Sequence, residues 1–524
     1  METAEPYVLI RMQNKIKKYF TRFDGVVFVS AFILALLVHL YMFTHKFLNH
    51  DDIDGLYSAC EFGLSSGRWL LQAASGLTGH FSSSWLNGLA GSLFLAFSAM
   101  LMMKMFKIRH YLPAMLGTVC LVAFPTVAST YAYMFSSAPY LLAMVLAVIG
   151  AYLIRSEKLG PMITGSCMLA LSMGCYQAYF CLAAALLVVL LIMDVCENRW
   201  KGGWKKFLIT ALKYLGFLFL GIVLYYAVLQ FLLWYTGTEL TTYQGISEMG
   251  RLTLKTLCER VKWAYICFGC FFFNTWQGIF HGFFPAFACI CMAVNLGMVV
   301  VCVIRKRLYR QGLMMLFLIL LILIFPLASN LIFVMAGQSF VHLLMVYPLV
   351  LTLVLPCIAI DRMNISGIKN KMLAKTGAPV LMAGLILLEL ICGYECVLIT
   401  NRAYFCMDMT YENVFAYFNR LTAKIELTDG FTQESQVAII GNASMDSFVP
   451  ETNMTGFGSP GNGLLNVYSR ARYLAYFLGV HYKDVTLEQE EQLRQTAAFQ
   501  QMPCYPDEGS IRNINGIITV KMEE

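Results

Sequence analysis

The chain has 524 residues, 59% of them hydrophobic and only 13% charged. Soluble domains carry about 25% charged residues, so an ordinary soluble enzyme is excluded. The formal charge of +7 does not point to nucleic acid, because the basic residues sit in short segments between apolar runs, where they orient a membrane protein.

The N-terminal segment is polar and basic, with no cleavable signal evident, and runs directly into an apolar stretch of about 20 residues, enough to span a bilayer. Candidate spans follow at 26–45, 84–103, 111–129, 138–154, 160–178, 179–194, 207–235, 283–304, 313–334, 338–360 and 376–400. Only Tyr176-Gln177-Ala178-Tyr179 separates the fifth from the sixth. The expected fold is therefore an α-helical polytopic membrane protein with about eleven transmembrane helices.

Loop charge tests this count. With the N-terminus in the cytoplasm, 22 Lys and Arg residues fall in the inner segments. Six fall outside: Lys46, Arg68, Arg251, Lys255, Arg260 and Lys262. That bias supports eleven spans, and an odd number puts the C-terminus outside. Trp69, Trp85, Trp234, Trp263 and Trp276 then lie at the outer interface, and Trp200 and Trp204 at the inner one.

Two outer loops, 46–83 and 236–282, are longer than a connection needs. Residues 1–400 read as the membrane domain and 401–524 as a small soluble α/β domain outside. The latter shows a helical pattern at 411–426 and strands at 437–441 and 516–522.

The first outer loop opens with His50-Asp51-Asp52-Ile53-Asp54. An acid cluster just above the bilayer can deprotonate a hydroxyl or hold a divalent cation; a plain helix start explains it as well. An amphipathic stretch at 56–72 follows, carrying Arg68 and Trp69. Arg68 suits a phosphate at headgroup depth, or simple contact with lipid. Arg251, Lys255, Arg260 and Lys262 suit an anionic ligand, or an interfacial helix lying on anionic lipid. Glu389 falls near the middle of the last span and should face protein or a cavity; His342 is weaker evidence of the same kind.

Seventeen cysteines are scattered, mostly in apolar runs. Cys267 and Cys270 form a CxxC without the second pair that zinc needs. Cys406 and Cys504 both fall in the outer domain and could pair. GFGSPG at 456–461 has no preceding strand and reads as a loop, not a dinucleotide site. No P-loop or HExxH is present.

A first helix ending in Asp51-Asp52, an interfacial helix with Gly67-Arg68-Trp69, many spans and a small outer domain resemble the Gtr-type (type II) membrane glucosyltransferases of the GT-C class. Tyr131-Ala132-Tyr133, the polar segment from Ser136 to Pro139, the helix near Asn413 to Ile425 and the final strand extend the likeness over nearly the whole chain. The resemblance implies a polyprenyl-phosphate sugar donor, most naturally glucose, and a cell-surface glycan or lipid-linked acceptor on the outer face, with inversion at the anomeric carbon. It implies Asp51 as base, with Asp52 the close second. Asp54, Arg68, Trp69, Arg251 and Lys255 complete the expected substrate-binding set. The late segment His342 to Pro348 lacks the arginine the family often carries, which leaves the phosphate-binding group there open. The rivals are a carrier or flippase, a polymerase or ligase for lipid-linked glycans, and a scaffolding role.

Overall fold

The computed structural model describes residues 19–45, 47–57, 60–201, 203–241, 253–273, 279–280, 282–336, 341–363, 377–443, 457–458 and 461–522. Among the described residues, eight helices are long and apolar enough to cross a membrane: Ser84–Met105, Met134–Ile154, Gln177–Cys196, Trp204–Thr236, Phe284–Arg305, Gly312–Ser329, Leu343–Arg362 and Ala378–Glu426. A ninth is added if Tyr111–Ala123 and Pro125–Tyr131, bent by 44°, form one span. Pro125 forces that bend, since it cannot donate to the preceding turn and pushes Phe124 out of helical geometry. The chain is a multi-pass membrane protein.

The two other expected spans coincide with shorter helices, Arg22–Val38 and Leu159–Cys175, of 17 residues each. His39 interrupts the first before it resumes at Leu40–Thr44. The buried His39 ring explains the interruption. Its Nε2 donates to the Val122 carbonyl at 2.9 Å, so its Nδ1 accepts from the Tyr404 hydroxyl at 2.6 Å. A Leu here would leave both partners unsatisfied in an apolar setting.

The helices form a centre and a rim. Gln177–Cys196 and Leu343–Arg362 are 83% buried over their apolar windows, whereas Trp204–Thr236 and Phe284–Arg305 are 17% buried. The rim helices turn Leu, Ile, Val and Phe outward, as lipid-facing surfaces do. At the expected inner ends, Asp194 pairs with Arg155 and Arg199 at 2.9 Å each, and Glu197 pairs with Lys107 and Arg362, also at 2.9 Å each. Glu389 is 1% exposed and faces the interior, where Cys357 and Cys120 donate to it at 3.4 and 3.7 Å.

The last helix, Ala378–Glu426, runs unbroken for 49 residues. At roughly 1.5 Å per residue that is about 70 Å, twice a bilayer core. The boundary expected at residue 400 therefore falls inside one helix, which carries the chain out of the bundle and into the C-terminal region.

That region holds a three-stranded sheet in the order β1-β3-β2. Strand β1 (Val437–Ile440) pairs parallel to β3 (Ile517–Lys521), and β2 (Ile511–Ile514) pairs antiparallel to β3. The expected strands at 437–441 and 516–522 are thus β1 and β3. The missed one is β2, although its turn was legible: Asn515-Gly516, both at positive φ, is the favoured two-residue hairpin pair. Val437, Ile518 and Val520 pack against Val414, Phe418, Leu421 and Ile425 of the long helix. Leu48 and Ile53, from the far end of the sequence, join the same cluster.

One expectation changes. The stretch 56–72 is not a helix: Cys60 and Gly67 adopt φ of 72° and 75°, breaking it into a short turn at Glu61–Gly63 and a helix at Leu71–Ser75. Cys406 and Cys504 are both free thiols. The loop read at GFGSPG places Phe457, 1% exposed, in the core of the bundle. Gly458 is required beside it, because at φ +85° a Cβ would meet the Tyr133 ring at 2.8 Å. Lys46, Arg251 and Trp276 lie outside the described residues.

Candidate functional site

The acids sit on a short helix, His50–Asp54, begun by Asn49 in a capping box with Asp52. Successive residues on a helix point about 100° apart, so its acidic side chains face three different neighbourhoods. Asp52 turns inward and is 0% exposed. Its oxygens accept from Phe135 N at 2.7 Å, Ser82 Oγ at 3.0 Å, Asn49 N at 3.3 Å and Met134 N at 3.4 Å. Phe135 and Met134 begin the helix Met134–Ile154, so Asp52 supplies the acceptor and negative charge which that N-terminus lacks. Asn49 adds a second tie, donating to the Ala132 carbonyl at 2.8 Å. Burial pushes the Asp52 carboxyl up to about 7 against the pull of its four donors. Expected as the close second for the base, Asp52 has no surface to offer a substrate.

Asp54 turns the other way and forms an ion pair with Arg472 on the C-terminal helix Val467–Tyr473, with the Tyr468 hydroxyl 3.4 Å away. It was expected to touch substrate; the structure gives it to the C-terminal region. Ile53 enters that region's core. The helix is thus clamped between bundle and sheet.

Asp51 remains. Its side chain is 34% exposed, with His50 Nε2 3.6 Å from its carboxylate.

Arg68 approaches the same ground from the loop. Its backbone N–H bonds the Gly63 carbonyl at 2.7 Å. The preceding turn is gripped by Gln177, which donates to the Ser66 carbonyl at 3.2 Å, and by Tyr225, which donates to the Gly67 carbonyl at 2.9 Å. Gly67 is needed there, since at φ +75° a Cβ would come within 2.9 Å of the Tyr225 hydroxyl. The guanidinium donates to the Tyr140 hydroxyl at 2.9 Å and lies 5.7 and 5.3 Å from the ring centres of Tyr140 and Tyr176. Those two rings are stacked at 4.0 Å. Among the described residues no carboxylate pairs with Arg68. Its Nε is buried without a partner, as are Trp69 Nε1 and the Tyr176 hydroxyl. Trp69 itself packs flat on Gly174, where a Cβ would fall 2.7 Å from the indole.

A charge that cannot be neutralised, seated on two aromatic faces with donors to spare, suits an anion. A carboxylate with solvent access, Asp51, belongs to the same loop. The sequence reading missed Tyr140, Tyr176, Gln177 and Tyr225; no local motif marks them, because each is 48 or more residues distant from its partner along the chain or belongs to an apolar run. Lys255 is exposed at the start of the helix Leu254–Phe273 and is not brought to this cluster. Arg260, on the same helix, donates to the Val334 carbonyl at 3.1 Å. Among the described residues no group of three or more His, Cys, Asp or Glu is disposed to hold a metal ion.

The protein-family model Glucosyl transferase GtrII matches residues 40–353 of the chain. That range contains the acid helix, Arg68 and all the tyrosines around it, and ends before the C-terminal region. Neither a curated protein nor a solved structure matches the chain.

Proposed function

The chain belongs to the glucosyl transferase GtrII family, and on that premise we propose that it moves glucose from a polyprenyl-phosphate donor to a cell-surface glycan or lipid-linked acceptor at the outer face of the cell membrane. In this reading eleven segments span the bilayer, the N-terminus is cytoplasmic, and the C-terminal region, joined through the long helix, is extracytoplasmic. The charge bias of the loops supports that orientation.

The observation that carries the reading is Arg68, which has no carboxylate partner among the described residues and donates to the Tyr140 hydroxyl, in the same loop that leaves Asp51 partly exposed. The donor phosphate binds Arg68, with Trp69 Nε1 and the Tyr176 hydroxyl as further donors. The acceptor hydroxyl oxygen attacks the anomeric carbon, and the bond from that carbon to the phosphate oxygen breaks. Asp51 takes the hydroxyl proton, and polyprenyl phosphate departs with its negative charge held by Arg68. One displacement inverts the anomeric centre. Asp52 acts at one remove, fixing the acid helix to the start of Met134–Ile154. His342 stands by as a hydrogen-bond partner in the segment where no arginine occurs.

Purified protein incubated with a panel of polyprenyl-phosphate sugars tests this. The glucose-bearing donor should be consumed and polyprenyl phosphate released. A carrier would instead move the donor across a vesicle membrane with no loss of sugar from the lipid.

A further inference from the structure

Two neighbouring tyrosines on the rim helix Trp204–Thr236 have opposite surroundings. Tyr226 is 55% exposed, like the Leu and Phe side chains that face lipid on this helix. Tyr225, about 100° further round, faces the bundle. It falls on the same stripe as Tyr214, Gly221 and Leu229, which are buried positions of the helix and recur at one or two turns. The stripe docks on the helix Leu159–Cys175. Ser166 Oγ donates to the Phe217 carbonyl at 2.7 Å, and Gly221 lies so close that a Cβ would meet Leu169 Cβ at 3.0 Å.

Phe would fill the Tyr225 site equally well, and a hydroxyl placed among apolar groups is costly unless it is paired. This one is paired twice: it donates to the Gly67 carbonyl at 2.9 Å and accepts from Gln177 Nε2 at 3.2 Å. The Gly67 carbonyl and the Arg68 N–H belong to one planar peptide group. Tyr225 fixes its oxygen end, and the Gly63 carbonyl, 2.7 Å from Arg68 N, fixes its hydrogen end. Rotation of this plane would swing the Arg68 side chain, and the glycine before it resists rotation less than any other residue. The far side of the turn is closed separately, where Leu70 N donates to the Gly174 carbonyl at 2.8 Å.

We propose that Tyr225 is a positioning residue of the anion site: by fixing the Gly67–Arg68 peptide plane it holds the guanidinium against the Tyr140 and Tyr176 faces, aimed at the donor phosphate. This rests on the reading above, in which Arg68 binds that phosphate. Tyr225 acts through Arg68 and touches no reacting atom. One short segment completes the device. Tyr176 lies 5.3 Å from the guanidinium, and Gln177, next in the chain, donates both to the Ser66 carbonyl and to the Tyr225 hydroxyl. Without the hydroxyl the peptide plane has more than one orientation open to it, and Arg68 is spread over several directions. An anion must then restore the single productive one, and that ordering appears as weaker affinity. Because the tie comes from a helix that faces lipid, the aim of the site depends on how that helix docks.

The test measures binding of polyprenyl monophosphate, the leaving group of the reaction above, to the full-length protein in phosphatidylcholine nanodiscs without acceptor. Wild type should bind it and Arg68→Ala should bind it more weakly. Tyr225→Phe, which removes only the hydroxyl, should weaken binding about threefold to tenfold, as the loss of one hydrogen bond implies. Tyr226→Phe, on the lipid-facing side, should bind as wild type does. In the Arg68→Ala background Tyr225→Phe should have no further effect, because the hydroxyl acts only through Arg68; the Trp69 and Tyr176 donors and the lipid tail supply the residual binding that makes this comparison. A tyrosine with a merely structural role would weaken binding equally in both backgrounds, and that result overturns the proposal. Tyr225→Phe at wild-type affinity beside an impaired Arg68→Ala overturns it too and leaves the phosphate reading standing. If wild type does not bind the probe, or Arg68→Ala binds it as tightly as wild type, the phosphate reading itself falls and the positioning role falls with it.

Discussion

Removing the Asp52 carboxylate should unfasten the site without touching its chemistry. In Asp52→Ala the Phe135 N–H and the Ser82 hydroxyl lose their 2.7 and 3.0 Å acceptors inside the protein. A buried donor left unpaired costs about 1–3 kcal/mol, so these two together imply roughly 2–6 kcal/mol. The longer bonds from Asn49 and Met134 add less. Asp52→Asn separates charge from hydrogen bonding. The Asp52 carboxyl is raised in the folded state from 3.8 to about 7, so the native state holds this proton more tightly than the unfolded chain. Its contribution is complete below pH 3.8 and is lost as pH rises through about 7. Between those limits wild type should lose up to about 1.4 kcal/mol per pH unit from this group. Asparagine cannot ionise, so the variant's profile should be flatter. The assay is denaturation of the protein in nanodiscs from pH 4 to pH 8. The reasoning is refuted if Asp52→Ala stays within about 0.5 kcal/mol of wild type, the range of an ordinary surface change, or if Asp52→Asn keeps the wild-type slope.

Arg68→Lys retains charge but loses the planar fork and the fit to the Tyr140 and Tyr176 faces, so donor affinity should fall about tenfold or more while folding is kept; donor titration of Arg68→Ala at wild-type affinity would remove the assignment. Glu389→Gln should express and fold, because an amide still accepts from Cys357 and Cys120, whereas Glu389→Lys should not accumulate; a Cys placed at 389 that reacts readily with a lipid-soluble maleimide would contradict the interior placement. A reporter active only in the cytoplasm, fused after Glu524, should be silent, and activity there would shift the span count by one.

Much of the architecture was legible because its physical signal is local. Apolar runs of about 20 residues mark spans, and a bilayer admits little besides helix. The strands β1 and β3 showed as short apolar runs. The site was legible only as residue types. Asp51, Asp52 and Asp54 look alike in sequence, yet one is left open, one is buried under four donors and one is paired across the chain. What separates them comes from residues 134–135 and 472, which no local window contains. The same holds for His39, whose break in the first helix depends on Val122 and Tyr404. The expected interfacial helix at 56–72 failed for a local reason: the apolar periodicity outweighed Gly63 and Gly67, and positive φ at Gly67 is what turns Arg68 towards Tyr140.

The central claim is that Asp51 serves as the base in a displacement on a lipid-phosphate sugar. A general base contributes about 10²–10⁴ in rate, or roughly 3–5 kcal/mol of barrier. The direct measurement is release of polyprenyl phosphate from polyprenyl-phosphate-glucose by wild type and by Asp51→Asn, with polysaccharide from gene-deleted cells as acceptor and donor binding measured alongside. The account predicts steady release by wild type, and release at least about 100-fold slower by Asp51→Asn, with donor affinity and thermal stability unchanged. Release by Asp51→Asn at the wild-type rate would contradict it.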